Sequence, residues 1–151
     1  MGKVRAPNSL YEIGVVAKMA AAMCRESPRY AQRTVSETYM ENILSKASEA
    51  GGFVRVYDSG DEITGIMVGV VAPYLCGPEV YACDLILYVK PENRGTPAAL
   101  SLVKEFETWA KEMGAVEVML GTSTGIDSEK TACLYERLGY SLVSKGFSKG
   151  V

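Results

Sequence analysis

Leu10, Ile13, Val16, Ala17, Ala20 and Met23 recur at intervals of three and four, the spacing that lines one face of a helix. With Asn8 or Ser9 as its cap, this helix is expected to end near Glu26, ahead of Ser27-Pro28. A polar connector leads to Ser36-Glu37, after which Tyr39, Met40, Ile43, Leu44 and Ala47 repeat the spacing until Gly51-Gly52 stops it. From there the period drops to two. Phe53, Arg55 and Tyr57 alternate with Val54 and Val56, and Asp58-Ser59-Gly60-Asp61 turns the chain. Ile63 to Ala72 returns as a strand apolar enough to be covered on both faces, with Gly65 and Gly69 marking a bulge or a close approach.

After a loop from Pro73 to Glu79, Val80 to Val89 forms the next strand. A helix from about Pro97 to Met113 follows, carrying Ala99, Leu102, Val103, Phe106, Trp109, Ala110 and Met113 on one face, with Gly114 as its C′ residue. Val116 to Leu120 is a short strand ending in the hydroxyl-rich loop Gly121-Thr122-Ser123-Thr124-Gly125. Asp127 or Ser128 caps a last helix that Gly139 terminates, and Tyr140–Val143 and Gly146–Ser148 suit two final short strands. No repeat or linker interrupts this order, which predicts one α/β domain over residues 1–151.

Composition narrows the chemistry. Sixteen basic residues face eighteen acidic ones and no Lys or Arg run occurs, so an electrostatic footprint for nucleic acid is not expected. The longest apolar run, Ile66 to Cys76, is too short to span a bilayer. There is no histidine, so acid–base work falls to carboxylates, Tyr, Cys, Lys or water. Cys24, Cys76, Cys83 and Cys133 lack Cys-x-x-Cys spacing and sit among apolar neighbours, as core thiols do in a reducing compartment. Together with the absence of an export signal, they point to a cytoplasmic protein that needs no metal.

The chemistry-bearing stretch is Leu85 to Ala99, where an apolar strand breaks at Pro91-Glu92-Asn93-Arg94-Gly95 and opens into a helix. Such a turn aims backbone N–H groups and a positive dipole end at one spot, which suits a phosphate. Thr96 as N-cap places Pro97 at the first helical position, where its missing N–H breaks no helical bond. Gly95, Thr96, Ala98, Ala99, Leu100 and the Arg94 side chain remain as donors, and an ordinary solvated turn is the alternative reading.

Arg94-Gly95-Thr96-Pro97-Ala98-Ala99 resembles the acyl-CoA pyrophosphate loop of the GNAT superfamily of N-acetyltransferases, with Pro97 where that pattern has its central Gly. Leu134-Tyr135-Glu136-Arg137-Leu138-Gly139-Tyr140 resembles the family's Leu-Tyr-Glu-x-Leu-Gly-Phe end motif. The order of elements fits as well, although the family's usual first strand has only a faint counterpart in Lys3 to Ala6. The resemblance implies a three-layer fold, a central mixed sheet with helices on both faces. It also implies transfer of an acetyl group from acetyl-CoA to a primary amine by direct nucleophilic attack.

Carried over residue by residue, the resemblance assigns the pantetheine contacts to the backbone of Leu87, Tyr88 and Val89, and the general acid for the leaving thiolate to Tyr135. Ser128 stands where the family often has an Asn that bonds CoA. Asp84, the only acid within its strand, is read as the base or as the group that holds the substrate ammonium. Arg29 and Tyr30 lie in the counterpart of the acceptor loop, with Thr122, Ser123, Thr124 and Tyr74 as further wall residues. A GNAT-like module that binds acyl-CoA or a protein partner without catalysis is the competing reading. Pairing through the short C-terminal strands would support a homodimer.

Overall fold

The computed structural model describes residues 2–151. One mixed sheet runs β1 (Lys3–Arg5), β2 (Phe53–Asp58), β3 (Ile63–Pro73), β4 (Val80–Val89) and β5 (Glu117–Met119), in that spatial order. The first three pairings are antiparallel, and β4 with β5 is parallel. Helices α1 (Leu10–Glu26) and α2 (Glu37–Glu49) cover one face. Helices α3 (Ala98–Glu112) and α4 (Ser128–Arg137) lie on the other. This is the expected three-layer α/β arrangement, and the faint Lys3–Ala6 signal does become a strand, paired to β2.

The period-two pattern explains how one sheet serves two cores. Val54, Val56, Ile66 and Val68 point toward α1, and Phe53, Tyr57 and Met67 point toward α3. Phe53, Phe106 and Trp109 form an aromatic cluster on the α3 side, with ring centres 4.9 to 5.5 Å apart. Each such pair adds roughly 0.5–1.5 kcal/mol beyond the area it buries.

Alternation is interrupted near the β2–β3 turn, where Tyr57 pairs with Gly65 and Asp58 with Ile63 so that Thr64 is extra, and again within β4. Val68 pairs with Ile86 but Gly69 pairs with Asp84, so Leu85 is an extra residue in β4. The bulge reverses the facing of everything before it. Ile86 and Tyr88 look toward α1, whereas Ala82 and Asp84 look toward α3 and α4. Leu85 itself is exposed.

Several expectations are corrected. Leu10, Tyr39, Ile43 and Met113 are exposed rather than core, because each lies at the rim of its helix's apolar stripe. All four cysteines are free, but Cys76 and Cys133 are exposed, one in the β3–β4 loop and the other on the outer face of α4. The two final strands do not form. After the Tyr140 N–H bond to the Tyr135 carbonyl the chain has no regular structure, and Leu142, Val143 and Phe147 are exposed. The three-residue β5 offers an edge too short to template them within the chain.

Gly69 sits where the bulge, α3 and β4 meet. A Cβ there would lie 2.6 Å from Phe106 Cζ and 3.0 Å from the Cys83 carbonyl oxygen. Gly69→Ala is expected to destabilise the fold by about 2 kcal/mol, read as a lower urea midpoint with an unchanged slope.

Candidate functional site

The parallel ladder joins Tyr81, Ala82 and Cys83 to Glu117, Val118 and Met119, then stops. Beyond Cys83 the two strands separate, which leaves the β5-facing backbone of residues 84–89 without a strand partner. A cleft of about 560 Å³ fills the gap, between β4, the start of α3 and one face of α4.

Asp84 stands at the point of separation. The bulge turns its side chain to the α4 side, where Oδ1 accepts a hydrogen bond from the Gly121 N–H at 3.1 Å. A carboxylate thus takes over where the ladder ends. Tyr135, buried on α4, donates from its hydroxyl to the Gly121 carbonyl oxygen at 3.3 Å. The two groups meet on one glycine residue although 51 positions separate them in sequence. Burial pushes the Asp84 pKa up to about 6, the Gly121 bond opposing the rise. Burial first, and the Asp84 charge second, also raise the Tyr135 phenol, which keeps its proton at neutral pH. A carboxylate with a pKa near 6 is able to accept a proton, and a protonated phenol is able to donate one.

Leu87, Tyr88, Val89, Arg94, Gly95, Thr96, Ala99 and Leu100 line the cleft. Gly95 adopts φ 85°, a conformation that favours glycine. The helix starts one residue later than the Thr96 cap implies. Ser101 N–H bonds to the Pro97 carbonyl, so Pro97 is the cap position, and the Thr96 hydroxyl donates to the Asn93 carbonyl at 2.7 Å. The amides of Ala99 and Leu100 fall in the first turn, where no intrahelical acceptor exists.

Some expected contacts lie elsewhere. Ala98 is fully buried against the core, because its side chain points under the helix while its amide leans on Thr96 Oγ1 at 3.4 Å. Ser128 does not line the cleft, and its hydroxyl faces the Thr122 carbonyl at 3.5 Å. Tyr74 is at the far end of β4, donating to Glu117 at 2.5 Å, and so forms no wall. Tyr30 lines neither cavity, and its ring stacks with Arg29. Thr122, Ser123 and Thr124 do border the cleft. Arg29, Thr122, Ser123 and Tyr135 also line a second cavity of about 1320 Å³ between β5, the end of α3 and the chain's last residues.

The residues missed by sequence reasoning are those that need a tertiary partner to be seen. Ser27 is fully buried, accepts the Arg29 and Tyr30 amides at 3.2 Å each, and donates to the Thr124 carbonyl, tying the end of α1 to the β5–α4 loop. Lys130, Leu134 and Arg137 follow the i, i+4, i+7 spacing and turn the same face of α4 to the cleft. That spacing was a usable signal.

The sequence profile described as the Acetyltransferase (GNAT) family matches residues 18–140. The chain belongs to the GNAT acetyltransferase family. Solved structures agree on the GNAT fold. A GCN5-related N-acetyltransferase from Ralstonia eutropha superposes with a TM-score of 0.75 at 21% identity, covering 100% of this chain and 99% of that one. A Trypanosoma brucei acetyltransferase gives 0.76 at 17% identity with both chains fully covered. Glucosamine-6-phosphate N-acetyltransferase from Arabidopsis thaliana gives 0.75 at 15%, covering 99% and 98%. No curated protein sequence matches. Membership carries acetyl transfer as the family's general chemistry. Among the described residues no helix is long and apolar enough to cross a membrane.

Asp84 also leaves a signature in stability. Its folded-state pKa of about 6 lies above the ordinary 3.8, so between these values the folded chain holds a proton that the unfolded chain releases. Stability therefore falls as pH rises from about 4 to 6. Asp84→Asn is expected to be more stable than the parent at pH 8, on the order of 2 kcal/mol, with the difference vanishing toward pH 4 in denaturant titrations.

Proposed function

We propose that this GNAT chain transfers the acetyl group of acetyl-CoA to a primary amine by direct attack. The observation that carries this reading is the meeting of Asp84 and Tyr135 at Gly121, at the mouth of a strand separation lined by free backbone and a helix N-terminus. Asp84 takes the proton from the incoming ammonium, and the freed amine attacks the thioester carbonyl carbon. The tetrahedral intermediate gives its second N–H proton to solvent and collapses with breakage of the C–S bond; Tyr135 supplies the proton that the departing thiolate requires and regains one from solvent. The Tyr135 hydroxyl must turn from the Gly121 carbonyl toward the sulfur for that step. The amides of Gly95, Thr96, Ala99 and Leu100, with the α3 dipole, suit the pyrophosphate. The backbone of Leu87 and Tyr88 suits the pantetheine. Proximity supplies most of the acceleration, because the thioester is already activated.

The second cavity reaches the same centre through Thr122, Ser123 and Tyr135 and offers the acceptor a separate approach. Four free cysteines accord with a reducing, cytoplasmic setting.

Calorimetric titration with acetyl-CoA, followed by CoA release assayed over a panel of amines, tests the reading; absence of binding at millimolar acetyl-CoA would refute it. Tyr135→Phe is expected to lower kcat by about 10- to 100-fold with acetyl-CoA affinity little changed. The rate should rise with pH through an apparent pKa near 6, and Asp84→Asn should abolish that limb. An unaltered rate in Tyr135→Phe reassigns Tyr135 to packing.

A further inference from the structure

Arg94 is a cation at the mouth of the cleft, which Lys130 and Arg137 also line, and each of its three nitrogens already donates a hydrogen bond. Nη1 and Nη2 donate to Glu26 Oε1 and Oε2 at 2.6 and 2.7 Å, and Nε donates to the Val89 carbonyl at 3.1 Å. Asp127 Oδ2 lies 3.6 Å from Nη1, and the Tyr88 ring centre is 5.6 Å from the guanidinium carbon. The guanidinium therefore bridges the end of α1, the end of β4 and the start of α4. Glu26 grips it in the two-pronged geometry that a phosphate would also use. The Arg94 and Glu26 side chains are 29% and 30% exposed, sheltered enough for their charges to matter and open enough to exchange with a ligand.

Two carboxylates beside an anion-binding helix terminus are at odds with its purpose. The free amides after Gly95 attract a diphosphate, whereas Glu26 and Asp127 repel it and hold the Arg94 guanidinium. We propose that Glu26 sets the affinity of this site for diphosphate: its carboxylate occupies Arg94 as an internal substitute for the cofactor's pyrophosphate and is displaced when the cofactor binds. The inference rests on the acyl-CoA reading above.

Glu26→Gln keeps the shape of the side chain and removes its charge. Wild type and variant, with folding verified by thermal melting, are titrated calorimetrically with CoA and, separately, with inorganic pyrophosphate at low ionic strength. The variant is expected to bind both about three- to tenfold more tightly, a gain that loss of a purely structural contact would not produce. Asp127→Asn, at a residue whose φ of 45° Asn tolerates, should give a smaller gain of the same sign, and it serves if Glu26→Gln does not fold. Unchanged or weaker binding of both probes overturns the proposal and makes the pair a clamp. A gain for pyrophosphate with no binding of CoA supports the proposal and refutes the acyl-CoA reading instead.

Discussion

β4 and β5 run together for three residue pairs and then part, and the position of that parting governs the rest of the molecule. A longer ladder would consume the backbone groups of residues 84–89 and close the cleft. The extra residue at Leu85 contributes by twisting β4 locally, as bulges do. It also sets which face each neighbour serves. Without it Asp84 would share a face with Ile86 and Tyr88 and point at α1, away from Tyr135.

Gly121 is where backbone geometry becomes chemistry. Its N–H and C=O, no longer used by a strand, are satisfied by Asp84 and Tyr135, which sets these two side chains in place without any direct bond between them. Desolvation raises both pKa values, while the amide bond limits the rise at Asp84. A carboxylate pushed to about 6 can accept a proton and still be ionised at neutral pH. Burying it lowers stability as pH rises toward neutrality.

The cleft's other end follows a different electrostatic logic. Backbone amides and the α3 dipole create a positive seat, and Arg94 lies beside it under the hold of Glu26 and Asp127. Strand geometry therefore determines where a ligand fits, and charge pairing between the end of α1, the β4–α3 turn and the start of α4 modulates how strongly.

Local pattern alone located nearly every element. Val80–Val89 was bounded to the residue, Leu10–Glu26 was framed by its Ser9 cap and Ser27-Pro28, and the Arg94–Ala99 and Leu134–Tyr140 motifs pointed to the family. These features depend on interactions within a few residues, where periodicity and capping chemistry are sufficient. The choice of partner was not legible in this way. Tyr74 and Ser128 carried suitable chemistry, but side-chain direction sends one to the opposite end of the sheet and the other to a neighbouring carbonyl. The last two strands had strand-like composition but lacked an edge long enough to pair with. Sequence by itself determined most of the elements and their order, singled out Asp84, and through its resemblance to the family pointed to Tyr135. Only the tertiary structure decided that Asp84 faces Tyr135 and that Arg94 is held by Glu26, because a one-residue bulge and contacts spanning 37 to 68 positions set those relations.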